Sequence, residues 1–189
     1  MSKLKIIAAY AVAALVLVAA LWVGYEQLVF VKHKAEIDLV LAEASTGELD
    51  PPALVVAVLA GDADAYAATN FWVSGHFLLR SYPTKMDAPT VQQLDRFLWS
   101  RLLRRHYSRG QIVALYCALA PVGDDVGLEA VSRRLFDAPP RALRDDQLAY
   151  VLAALRAPTW VESDPERLRQ LAERLLRDAQ TSSSAPVSP

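Results

Sequence analysis

The sequence predicts an all-α fold behind one N-terminal membrane-spanning helix, and three observations carry that prediction. Ile6 to Gly24 is an uncharged apolar run of the length that crosses a bilayer core. Beyond residue 50, apolar residues recur at helical spacing in successive stretches. Capping boxes, prolines and glycines then punctuate those stretches where helices start and stop. Hydrophobic residues make up 53% of the 189-residue chain, and the N-terminal run supplies much of that share. The remainder is long enough for one domain of modest size with a real core. A net charge of −1 provides no global field toward nucleic acid. The single cysteine, Cys117, excludes an intramolecular disulfide and a cysteine-based zinc site, and its apolar helical setting reads as a buried, inert thiol.

Four segments follow: a short stub and anchor over 1–31, a connector over 32–50, a helical domain over 51–179, and an unstructured polar tail over 180–189. Trp22 and Tyr25 sit where an aromatic belt forms at a membrane surface. The apolar run is long for a cleaved signal peptide and no small-x-small site ends it, so an uncleaved anchor is the preferred reading. Lysines flank the run on both sides, Lys3 and Lys5 before it and Lys32 and Lys34 after it, so charge leaves the orientation open. Ala35–Ala44 continues a helical pattern that Ser45-Thr46-Gly47 breaks. Asp50 is read as the cap of the next helix, with Pro51 in its first turn. Leu54, Val55, Val58 and Leu59 make that helix an apolar rod ending at Gly61, and a helix apolar on most sides is buried.

Asn70–Tyr82 interleaves Phe71, Trp72, Val73, Phe77, Leu78 and Leu79 with few charges. It fits either an amphipathic piece lying in a membrane surface or an internal helix on the core, and the internal helix is preferred. Tyr82–Lys85 reads as a loop. Thr90 opens a helix to about His106, with Leu94, Phe97, Leu98 and Leu102 as its apolar stripe and a cluster of arginines on other faces.

The most regular stretch runs from Tyr107 to Pro158. Ser108 and Gln111 form a capping box that starts a helix through Ala120, and Ile112, Leu115, Tyr116 and Leu119 share one of its faces. Pro121 ends it, and Gly123 and Gly127 bracket a tight Asp-Asp loop. A second helix spans about Leu128–Phe136 and a third Leu143–Arg156, with Pro139-Pro140 between them. Ser163 and Glu166 form another capping box, with Pro165 in the first turn of a last helix striped by Leu168, Leu171, Leu175 and Leu176.

Within this stretch the runs Y-S-x-x-x-I-x-x-x-Y, G-x-x-x-G-L-E-A-x-x-R-R-x-F and A-x-x-x-A-x-x-x-A-P fall in one register. They are carried by Tyr107, Ser108, Ile112, Tyr116, Gly123, Gly127, Glu129, Ala130, Arg133, Arg134, Phe136, Leu143, Ala149 and Pro158. The stretch resembles the peptidoglycan glycosyltransferases of family 51, the lipid II polymerising domains of monofunctional transglycosylases and class A penicillin-binding proteins. The resemblance implies a lysozyme-like helical domain, partly immersed in the membrane around Asn70–Tyr82. It also implies an inner-membrane anchor with the domain on the periplasmic side. The membrane, lipid II and cell-wall synthesis proteins are the implied partners, with no nucleic acid, no cofactor, and a divalent metal only if the domain is active.

The resemblance also implies site residues. The family's general base, a glutamate in E-D-x-x-F, aligns with Asp62, and its next two motif positions with Ala63 and Tyr66. An aspartate there is one methylene shorter, about 1 Å or more out of reach, and such a misplacement can cost about a hundredfold in rate. The plainer reading of Asp62 and Asp64 is a solvated turn after the apolar rod. Gln92 and Gln93 resemble the end of the family's G-G-S-T-I-T-Q-Q-L segment, whose glycines and serine are missing. Arg105 and Arg109 are candidates to hold a pyrophosphate, against the plainer reading of a basic helix end. Gly123, Gly127 and Glu129 are candidate substrate-binding residues, with a structural carboxylate bonding backbone or Arg133 as the preferred reading of Glu129. Ala114 and Ala118 stand where the family carries a functional glutamate and an asparagine, so the domain reads as degenerate and shortened, a binding or regulatory component of cell-wall synthesis; the alternatives are an active polymerase of lipid II with Asp62 as base and a structural subunit of another inner-membrane complex. No metal-binding residues are expected.

Overall fold

The computed structural model describes residues 3–81 and 89–184. The chain divides into two compact units, Met1–Ile37 and Asp38–Pro189. The first holds α1 (Lys3–Tyr25), a π-helical turn (Glu26–Phe30) and the start of α2 (Val31–Glu43). Leu15, Val16, Leu17, Val18 and Leu21 are all exposed on α1, so apolar side chains face outward around the helix. That pattern suits lipid, and the helical run is long and apolar enough to cross a membrane.

Among the described residues the second unit is helical apart from one hairpin of two two-residue strands, as the predicted all-α class requires. It contains α3 (Thr46–Leu49), α4 (Ala53–Ala60), α5 (Ala63–Ser81), α6 (Pro89–His106) and α7 (Arg109–Leu119). After the hairpin of β1 (Pro121–Val122) and β2 (Asp125–Val126) come α8 (Leu128–Phe136), α9 (Asp145–Arg156), α10 (Trp160–Ser163) and α11 (Pro165–Ser184). α7 is the internal element: Ile112 through Cys117 and Leu119 are all buried, more than the single predicted face. Its capping box forms, with Gln111 N–H donating to Ser108 Oγ at 3.2 Å and Ser108 N–H to Gln111 Oε1 at 2.9 Å. α5 packs on α4, α6 and α7, while α11 packs on α9 and α4. The preferred reading of Asn70–Tyr82 as an internal helix agrees with α5 up to Ser81, where Asn70, Val73, Ser74, Phe77 and Leu78 are buried.

Several local expectations change. Ser45-Thr46-Gly47 does not simply break the chain. Ser45 N–H donates to Glu48 Oε2 at 2.9 Å and α3 forms, because S-x-x-E is itself a capping sequence. Asp50 does not cap α4, whose N-cap is Pro52; Asp50 instead pairs with Arg141. The third predicted helix begins at Asp145, after a 3₁₀ turn over Pro140–Ala142. The cap of α11 is Asp164, whose Oδ1 accepts from Arg167 N–H at 3.0 Å, while Ser163 Oγ turns back to Thr159 O. α11 continues to Ser184, into the segment read as tail. On α6, Trp99, Ser100, Leu102 and Leu103 are buried, whereas Leu94 and Phe97 are about half exposed at 57% and 48%. The expected loop at Tyr82–Lys85 lies outside the described residues.

Candidate functional site

A cleft of about 480 Å³ opens between α4, α5, α7, α9 and α11. Its apolar wall comes from Val58, Leu59 and Leu155, its aromatic wall from Trp72 and Tyr116, and its charged groups are Asp62, Asp64, Asp178 and Arg156. The sequence explains why these meet. α4 and α5 are separated only by Gly61 and Asp62, so the corner between them projects Asp62 beside the first turn of α5. Gly61 is needed there for space: a Cβ would lie 2.3 Å from the Ala57 carbonyl oxygen.

Asp62 is solvent-exposed, and its Oδ1 accepts from Ala65 N–H at 2.7 Å. The carboxylate therefore caps α5, using one oxygen on an otherwise orphaned donor of the first turn. Arg109, from the start of α7, comes to the same corner. Its guanidinium donates to the carbonyl oxygens of Ala60 and Asp62, the latter at 3.0 Å, and lies 4.7 Å from the Tyr66 ring centroid. Two of the residues singled out from the sequence are thus brought together, with Arg109 engaged on backbone carbonyls. Burial pushes the Tyr66 phenol above its usual value, while Arg104 and Arg109 nearby pull the other way.

Of the candidates only Asp62 lines this cleft; Arg109 and the others do not. Gln92 and Gln93 are exposed near the start of α6 and Arg105 is exposed near its end. Gly123 and Gly127 sit at either side of the hairpin with φ of +62° and +95°. Glu129 is bonded by Arg133, Nε at 2.9 Å and Nη2 at 2.7 Å. Ala114 is 1% exposed inside α7. Among the described residues no group of three or more His, Cys, Asp or Glu is placed to hold a metal ion.

Three groups were missed from sequence. Glu48, 7% exposed, reaches across to α8, where Glu129 N–H donates to its Oε1 at 3.4 Å. A carboxylate from a distant segment thus serves the α8 N-terminus. The S-x-x-E pattern at Ser45 was its available signal. Arg156 enters the cleft from the end of α9 and donates to Val58 O at 2.9 Å. Trp72 meets Tyr116 edge-on at 4.9 Å and stacks on His76 at 5.6 Å. Tyr116 is 5% exposed; burial pushes its phenol up to about 12, against the lowering pull of Arg156. Burial raises the Cys117 thiol well above its ordinary range, with Glu48 adding to it, which leaves it inert at neutral pH.

No curated protein matches this chain. A family model described as Transglycosylase matches residues 78–180, more than half of the chain. The matched span includes Gln92, Gln93, Arg105, Arg109, Gly123, Gly127 and Glu129; Asp62 precedes it. With the motifs in register and a helical domain built around α7, the chain belongs to the transglycosylase family, whose members are lysozyme-like helical domains acting on lipid II.

Proposed function

We propose that this is a membrane-anchored domain of the peptidoglycan glycosyltransferase type that does not polymerise efficiently and acts as a binding or regulatory component of cell-wall synthesis. Its helix α1 would anchor it in the inner membrane with the domain on the periplasmic side, and its partners would be lipid II and cell-wall synthesis proteins. The observation that carries this reading is the state of Asp62. A general base needs a carboxylate free to approach the acceptor hydroxyl and shifted toward neutrality by burial. Asp62 is exposed, is shorter than the family's glutamate and has one oxygen engaged in capping α5. Buried Ala114 supports the same reading, since an alanine there supplies no second carboxylate.

The test is turnover of fluorescent lipid II by the detergent-solubilised full-length chain beside Asp62→Asn. The expected result is binding without glycan chains. Robust chains made by the wild type and lost in Asp62→Asn would overturn the proposal and establish a shortened working polymerase with Asp62 as base.

A further inference from the structure

Helix α6 keeps an exposed stripe whose chemistry fits one kind of partner. We infer that this stripe docks on a bilayer surface carrying anionic phospholipid headgroups, so that the domain rests on the membrane as well as being tethered to it. The inference takes from the proposed function only that the chain is held at a membrane, and it is independent of lipid II and of whether chains are made.

α6 packs on α5 and α7, and its Trp99, Leu102 and Leu103 are buried. Val91, Leu94, Phe97, Arg101 and Arg104 follow one another at steps of three or four residues, and all five are exposed. Such steps place them in one line along the helix. The line is apolar over its first two turns and basic beyond them. An amphipathic helix lying in a membrane surface has this makeup: its apolar side chains enter the acyl boundary, and its arginines meet the headgroup phosphates. α6 carries four arginines against one acidic residue, Asp95, so the excess charge is complementary to an anionic surface.

The aromatic rings of this region carry the cations with them. The Arg101 guanidinium lies 5.3 Å from the Phe97 ring centroid, and that of Arg96 lies 4.9 Å from the ring of Phe71 on α5. Gly75 makes room for the second pair, because a Cβ there would come 2.8 Å from Arg96 Nε. A guanidinium over a half-exposed ring keeps apolar area and positive charge together at one depth, as a headgroup boundary requires. Asn70–Tyr82, for which the resemblance implies immersion, offers less of such a face, since Asn70, Val73, Ser74, Phe77 and Leu78 are buried. The chain also favours lipid over a protein partner. Its N-terminal helical run is long and apolar enough to cross a membrane, and a tethered domain meets the bilayer at high effective concentration. A few arginine–phosphate contacts, each of about fivefold, then suffice to dock it.

The test uses the full-length chain reconstituted in vesicles of phosphatidylcholine, with and without phosphatidylglycerol. An environment-sensitive fluorophore is attached at Leu94→Cys, and in a control at Ala142→Cys, an exposed position in the turn between α8 and α9. The chain's own thiol, Cys117, is buried and stays unlabelled. The Leu94 probe is expected to shift to the blue and to be quenched by brominated lipid in the phosphatidylglycerol vesicles, while the Ala142 probe stays in water. Omitting phosphatidylglycerol, or adding Arg101→Gln, is expected to lower the ratio of docked to undocked domain by about fivefold or more. Arg101 is exposed, so the variant should keep the wild-type urea midpoint, which separates lost docking from lost folding. A Leu94 probe that stays in water on both kinds of vesicle would overturn the inference and leave the stripe to a protein partner. Equal burial with and without phosphatidylglycerol, or an Arg101→Gln chain that docks as well as the wild type, would overturn it too. A chain that fails to float with any vesicle would sink the anchor as well, whereas one that floats with a wet Leu94 probe sinks this inference alone.

Discussion

At the scale of single residues, the glycines and carboxylates of the hairpin region show how closely backbone and side chain are fitted. Gly127 has φ +95°, and a Cβ there would stand 2.4 Å from Glu48 Oε1 and 3.2 Å from the Ala118 carbonyl oxygen. Both the backbone conformation and the space call for glycine. Gly127→Ala is therefore expected to destabilise the domain by about 2–3 kcal/mol, read as a lowered urea midpoint with an unchanged slope. The residue-scale reading of Asp62 from sequence offered a base or a solvated turn. In the structure one of its oxygens caps α5, and the carboxyl group alone could not distinguish the two uses, because both need the same atoms. Arg109 teaches the same lesson. A guanidinium that could grip a phosphate here grips the carbonyls of Ala60 and Asp62, and only the fold brings those carbonyls to it.

At the scale of elements, helical periodicity located the helices but not how much of one stripe is covered: on α6, Leu102 is buried and Leu94 and Phe97 are exposed. The stripe Leu94–Phe97–Leu98–Leu102 has helical spacing, yet burial on α6 starts at Trp99 and continues through Ser100, Leu102, Leu103 and, beyond the helix, Tyr107. A helix that is covered only over its second half buries by contact, and spacing carries no information about where the cover begins. The two halves should respond differently to truncation. Trp99→Ala is expected to cost about 3–5 kcal/mol and Phe97→Ala less than about 1 kcal/mol, both by chemical denaturation. The start of α11 offers a matched pair as well. Asp164→Ala should cost about 1 kcal/mol through loss of the cap, and Ser163→Ala should fall within about 0.5 kcal/mol of wild type.

At the scale of the molecule, the buried phenols and thiol link stability to pH. Tyr107, whose hydroxyl donates to Asp38 Oδ1 at 2.8 Å, is raised by burial and by that carboxylate; Tyr116 and Cys117 are raised chiefly by burial. Each of these acids is held neutral in the folded state, so the unfolded chain releases protons first as pH rises. Their contribution is complete below the unfolded values, 9.0 for the thiol and 10.0 for the phenols, and is lost as pH climbs toward the folded ones. Tyr116 alone, moved to about 12, accounts for roughly 3 kcal/mol across that window. The urea midpoint is expected to fall steadily above about pH 9. Tyr116→Phe should lessen the fall, as the same titration repeated on that variant would report.

What the sequence determined by itself was whatever depends on neighbours along the chain. The apolar run of α1, the Ser108–Gln111 box, the span of α8 and the tight loop between Gly123 and Gly127 all rest on contacts within a few residues, where spacing is geometry. The motif register from Tyr107 to Pro158 likewise carried the family. Tertiary structure decided which part of α6 is covered, that Glu48 serves the start of α8, and that Arg156, Trp72, Tyr116 and Asp62 share one cleft. Apart from Asp62 and Trp72, which α5 itself joins, those groups are separated by tens of residues, and nothing in the local pattern of any one of them encodes the distance to the others. Helix packing supplies that distance, and through it the charge and shape of the site.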